Sequence, residues 1–159
     1  MRKLLKTTFF VLIILILAIQ AVRPRRSNPP IEPAREITAL HPANQNISAM
    51  LERSCNDCHS NRTVWPWYSN VAPASWLVAR DVNNGRDALN LSEWGTYNKE
   101  KRQELAGKIC EEAKDREMPL LQYNLVHPQA RLSSADAATM CSWTQQIAPG
   151  GAQEKEEGD

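Results

Sequence analysis

Cys55, Asn56, Asp57, Cys58 and His59 set two thiols three positions apart, with an imidazole directly after the second. This C-x-x-C-H pattern is the sequence of covalent c-type haem attachment. Two cysteines at that spacing reach the two vinyl groups on one side of a porphyrin, and the thioethers fix the macrocycle. The histidine falls beneath the iron and offers one ring nitrogen as proximal ligand. Its other ring nitrogen is expected to donate to a backbone carbonyl and so set the tautomer. Three other chemistries compete. A thioredoxin-like redox pair belongs in a βαβ context, and the sequence has no convincing β alternation. A structural zinc site needs a second ligand pair, and Cys110 and Cys141 stand alone. A disulfide between Cys55 and Cys58 leaves His59 unexplained. The expectation is one haem c per chain, with Cys55 and Cys58 as thioether donors and His59 as an iron ligand.

For the sixth position of the iron, Met118 is the leading candidate. It lies just past a helix, and Pro119 stiffens its backbone. A thioether ligand raises the haem potential and suits electron transfer. His127 is the alternative distal ligand, and its imidazole would give a lower potential. Met140 reads as core, and His41 sits in a proline-rich stretch. A haem also needs flat apolar walls and groups for its propionates. Trp65 and Trp67 are candidates for the walls, and Arg62 and Arg80 for the propionates. For each aromatic, plain core packing is an equally good account. Cys110 and Cys141 fall on two different helices and are expected to pair if the chain is exported to an oxidising compartment.

These residues need helices to hold them. Asn46 can cap a helix over Ile47 to Cys55, where Ile47, Met50 and Leu51 share a face. Pro73 suits the first turn of a helix over Ala74 to Val82, ended by Asn83-Asn84-Gly85. Asn98 caps a long helix from Lys99 to about Arg116. Ser133 and Asp136 form a capping box for a last helix, Ser134 to Ile147. The fold class is therefore all-α, a cytochrome c-like helical domain.

The expected organisation has four parts. Residues 1–22 carry Arg2, Lys3 and Lys6 before an apolar run from Phe9 to Ile19. They read as a signal-anchor, a transmembrane helix whose ends Gln20, Ala21 and Val22 extend it to the interface; cleavage after Ala21 is the alternative. Residues 23–43, with five prolines, read as a semi-rigid spacer. Residues 44–148 form the folded domain, and 149–159 a polar, acidic tail. Six of the 19 basic residues lie before residue 27, with no acidic residue among them, which leaves 13 basic against 18 acidic in the remainder. That balance, without a basic patch interleaved with aromatics, argues against nucleic acid. It fits a soluble domain that meets a basic partner protein.

Taken together, the chain resembles a small bacterial family, the haem-binding domain, a branch of membrane-anchored c-type cytochromes. The resemblance runs through Gln20-Ala21-Val22-Arg23-Pro24, Asn28-Pro29-Pro30, Cys55 to Ser60, Trp65-Pro66-Trp67-Tyr68-Ser69 and Ala72 to Leu77. It continues through Asn90 to Trp94, Glu117-Met118-Pro119, and His127-Pro128 before Arg131-Leu132. It implies one covalent haem on Cys55 and Cys58, His59 as axial ligand, Met118 at a Met-Pro position used for ligation, and a compact helical fold. Cys110 and Cys141 are outside that pattern, so their pairing rests on compartment alone.

The functional expectation is a monohaem cytochrome that transfers single electrons and is not an enzyme. It would be held at a bacterial inner membrane with its haem domain on the periplasmic side. A haem-based ligand or redox sensor is the second reading. A peroxidase is the third, and it would need distal acid–base groups that only His127 offers among histidines.

Overall fold

The computed structural model describes residues 1–148; the tail expected over 149–159 lies outside the described residues. Among the described residues there is no strand, and the all-α class holds. The α-helices are α1 (Arg2–Ile19), α2 (Ile37–Leu40), α3 (Gln45–Ser54), α4 (Asn56–His59), α5 (Ala74–Ala88), α6 (Lys99–Asp115), α7 (Leu121–Val126) and α8 (Ser134–Ile147), joined by short 3-10 turns.

The long helices start where side-chain caps allow. Asn98 Oδ1 accepts the Lys101 N–H at 2.8 Å to open α6, which stops at Arg116 in the left-handed conformation. Ser133 and Asp136 close a reciprocal capping box on α8. At α3 the cap is Asn44, two residues earlier than expected, its Oδ1 accepting the Ile47 N–H at 2.9 Å.

Helices α6 and α8 pack against each other, and α3 crosses α8. Ala106 and Ala113 on α6 and Ala137 and Met140 on α8 are all buried, Ala106 fully. The alanines let the two backbones approach, and a disulfide joins Cys110 to Cys141 with their Cα atoms 4.6 Å apart. The core around this pair is Ile37, Ile47, Met50, Leu51, Leu91, Trp94, Leu105, Met140 and Trp143. Burying apolar side chains of this size contributes roughly 1.5–3 kcal/mol each. Helices α4 and α5 pack against each other.

The N-terminus corrects the expectation of a transmembrane helix: no helix among the described residues is long and apolar enough to cross a membrane. The reason is visible in α1. Its 18 residues include Arg2, Lys3 and Lys6, and the helix ends at Ile19. The stretch from Thr7 to Ile19 rises only about 20 Å at 1.5 Å per residue, short of a ~30 Å hydrocarbon core. Gln20, expected to lengthen the span, is engaged elsewhere. Its side-chain amide donates to the carbonyl of Ala72 at 3.1 Å and accepts the Ala72 N–H at 2.9 Å.

Residues 23–43 are likewise not a free spacer. Up to Glu32 they form an extended strap laid against the domain, followed by a 3-10 turn (Pro33–Arg35) and α2. Arg26 Nη1 donates to Ser69 Oγ, Asn28 Nδ2 donates to the carbonyl of Thr63, and Asn61 Nδ2 donates to that of Pro30. Further on, Ile37 is buried in the core. Proline fixes an extended backbone whether it hangs in solvent or lies on a surface, so composition alone does not separate the two.

Helix α5 also departs from expectation. It runs through Asn83-Asn84-Gly85 to Ala88. Gly85 is there because α4 lies against it: a Cβ at this position would sit 2.5 Å from the carbonyl oxygen of Cys58 and 3.1 Å from its Cβ. The glycine marks a helix contact, not a helix end.

Candidate functional site

The C-x-x-C-H residues occupy the turn from α3 into α4. Helix α3 ends with the Cys55 N–H donating to the Leu51 carbonyl, and α4 begins at once, with the His59 N–H donating to the Cys55 carbonyl at 2.9 Å. One helical turn therefore carries both cysteines and the histidine. Cys55 and Cys58 are free thiols, both half-buried. Burial pushes the Cys55 thiol up to about 12, with Arg53 offsetting part of it. Burial and the carboxylate of Asp57 push Cys58 up to about 11. A catalytic redox dithiol needs the opposite shift. Among the described residues no group of three or more His, Cys, Asp and Glu side chains is placed to hold a metal ion.

His59 is held by α5. Its Nδ1 lies 2.9 Å from the carbonyl of Gly85 and 3.2 Å from that of Leu89. Only a protonated Nδ1 can bond two carbonyls, so the proton resides there and Nε2 carries the free lone pair. Burial lowers the pKa of the ring, and the two carbonyls oppose that shift in part. The result is a neutral, oriented imidazole with Nε2 as the available donor, the arrangement a metal-ligating histidine needs.

The surrounding backbone is braced. Thr63 Oγ1 donates to the Asp57 carbonyl at 2.7 Å, the Val64 N–H donates to Asp57 Oδ1, and Ser60 Oγ donates to the Asn56 carbonyl. Asn61 is buried and bonded to Ser92, Asn90 and Glu93, which ties the turn after His59 to the segment around Trp94.

A family model described as the haem-binding domain matches residues 14–146, most of the chain. The chain belongs to the haem-binding domain family. No curated protein and no solved structure matches it. The residues present fit the cofactor that the family name states: two unpaired thiols and an imidazole with one free nitrogen share one turn of this haem-binding domain.

The remaining candidates fall in different places. Met118 is half-buried, five residues before Tyr123. The Tyr123 hydroxyl donates to Asp57 Oδ2 at 2.7 Å, and Gln122 donates to Asp81. Helix α7 and the loop bearing Met118 are thus fastened to the residue between the two cysteines. His127 is engaged on both sides of its ring. Its Nε2 is hydrogen-bonded to the Tyr68 hydroxyl at 2.7 Å, the Gln129 amide lies 3.5 Å from Nδ1, and the ring stacks on Tyr123 with centroids 4.4 Å apart. Met140 belongs to the core. His41 packs edge-on to Trp94, and its pKa is lowered by burial and by Arg102.

The structure gives the candidate pocket residues the following partners and exposures. Arg62 forms a bidentate pair with Glu36, and Arg80 pairs with its neighbour Asp81. Trp65 donates its indole N–H to Asn28, and Trp67 is 78% exposed. The sequence reading missed Gly85, Arg86, Tyr123 and Asn28, whose roles are contacts between segments far apart in the chain. Asn28 stood within the resemblance, but nothing local names its partner.

Proposed function

We propose that this haem-binding protein is a monohaem c-type cytochrome that carries single electrons and is not an enzyme. Cys55 and Cys58 form the two thioethers, and His59 Nε2 is the proximal ligand. The observation that carries the reading is the orientation of His59, whose Nδ1–H is fixed on Gly85 and Leu89 while its Nε2 is left free one residue after a pair of unbonded thiols. When bound, the haem supplies a one-electron iron couple. The chain's own part is to orient the imidazole, to keep both thiols at one edge of α4, and to exclude water with the segments 65–77 and 118–127.

Met118 is the proposed distal ligand. Its loop is tethered to Asp57 through Tyr123, whereas His127 already has Tyr68 and Gln129 as partners. An exported compartment is the proposed location, because covalent attachment by the usual bacterial route and a disulfide between Cys110 and Cys141 both belong there. The acidic excess after residue 26 fits a redox partner with a basic face.

The deciding experiment is a denaturing haem stain with a pyridine haemochrome spectrum, on the full chain made with cytochrome c maturation machinery. Haem retained on the denatured chain with a two-thioether spectrum is the expected result. Haem released by denaturant would overturn the c-type assignment, and the family's haem would then be held without thioethers. Met118→Ala is expected to turn a six-coordinate spectrum into a five-coordinate or rearranged one. The reduced variant should bind carbon monoxide where the parent does not. An unchanged spectrum would remove Met118 from the iron.

A further inference from the structure

The N-terminal strap and the histidine turn meet at one side chain, Arg86 on α5. Its Nε donates to the carbonyl of Ser60, the residue after His59, at 2.8 Å. Nη1 donates to the carbonyl of Ser27 at 2.9 Å. Nη2 donates to Asn28 Oδ1 and to Thr63 Oγ1, each at 2.8 Å. Thr63 passes the connection on to the Asp57 carbonyl, and Asn28 closes the ring by donating to the Thr63 carbonyl at 2.9 Å. The preceding residue, Gly85, supplies the carbonyl that orients the His59 ring. A planar guanidinium with five N–H donors suits such a junction; a lysine ammonium has three and no plane.

We propose that Arg86 is a positioning residue for His59. It locks the strap at Ser27 and Asn28 onto the turn from His59 to Thr63, so that the strap is a working part of the unit that orients the ligand. The inference rests on the reading of His59 as the iron ligand. Two fixings then define the imidazole. The Gly85 and Leu89 carbonyls set the ring, and Arg86 sets the backbone immediately after it. Loosening the strap at Asn28 therefore loosens a ligand that lies 31 residues further along the chain.

The test is hydrogen exchange by mass spectrometry on the full chain, with and without haem, together with the reduction potential of the haem-loaded protein. Arg86→Gln is expected to speed exchange about tenfold or more, both in the strap and in residues 59–64. It should also lower the potential, because a positive charge that disfavours the ferric state is gone. Asn28→Ala, which takes away the strap side chain bonded to Arg86 and Thr63 while leaving the sequence of α5 intact, should speed exchange at 59–64 as well. Arg86→Lys keeps the charge but not the plane, and should loosen both segments with a smaller change of potential. An Arg86→Gln protein that loosens the strap alone, with 59–64 and the potential unchanged, overturns the proposal. So does an Asn28→Ala protein whose 59–64 segment exchanges like the parent. Should Arg86→Gln fail to fold, the other two variants decide. A chain without covalent haem in the stain above would refute the ligand reading, while the exchange coupling in the haem-free chain would still be read separately.

Discussion

Gly85→Ala is expected to destabilise the protein by roughly 2–3 kcal/mol and to disturb the axial coordination at His59. In an ordinary helix interior the same change stabilises by about 0.5–1 kcal/mol. The sign reverses here because the new methyl would lie 2.5 Å from the Cys58 carbonyl oxygen, a backbone atom that cannot rotate away. Either α4 or α5 must move. Both movements pull the Gly85 carbonyl from His59 Nδ1, now 2.9 Å away. Asn84→Ala, one residue earlier and exposed, is the matched control. It tests helix propensity alone and is expected to be neutral or slightly stabilising. Urea denaturation of the two variants, with the haem absorption spectrum of each, makes the comparison. A Gly85→Ala protein as stable as Asn84→Ala would mean that α4 and α5 are not in the contact described.

The same glycine shows what sequence could and could not disclose. Asn83-Asn84-Gly85 has the composition of a helix end, and local chemistry alone favours a stop there. What keeps α5 going is a neighbour 26 residues away, His59, together with the Cys58 backbone beside it. Signals confined to a few residues were legible. Asn98 and Ser133 cap the helices they were expected to cap, and Ser134–Ile147 has the expected bounds. The cluster of Cys55, Cys58 and His59 needed no tertiary information, because one helical turn brings the three together. Signals that depend on distant partners were not legible. Gln20 reads equally well as the end of an apolar span and as an amide seeking a backbone partner; Ala72 decides. Pro29 and Pro30 read as spacer until Asn61 and Arg86 are seen to hold their neighbourhood. Helix α7 has six residues and no side-chain cap, too little for any periodic pattern to mark.

Reducing the bond between Cys110 and Cys141, or replacing both with serine, is expected to lower stability by about 3–4 kcal/mol. The magnitude comes from the 31-residue separation of the two cysteines: cross-linking a loop of that length removes chain entropy from the unfolded state. For a domain of about a hundred residues this corresponds to a fall of 10 °C or more in Tm. The effect should extend beyond α6 and α8. The bridge pins α6 near its C-terminal end, and the chain then turns at Arg116 directly into Met118 and Pro119. The Met118 loop is therefore fixed at both ends, by the disulfide before it and by the Tyr123–Asp57 bond after it. If Met118 ligates the iron, the reduced protein should lose its six-coordinate spectrum at a lower temperature than the oxidised one. The haem itself should stay on the chain, because Cys55 and Cys58 take no part in the bridge. Thermal melts followed in parallel by far-ultraviolet circular dichroism and by haem absorbance, with and without reductant, separate the two effects. A Tm unchanged by reduction would show that α6 and α8 hold through Ala106, Ala113, Ala137 and Met140 alone. A fall in Tm with no earlier loss of the axial ligand would place the control of the Met118 loop entirely at Tyr123.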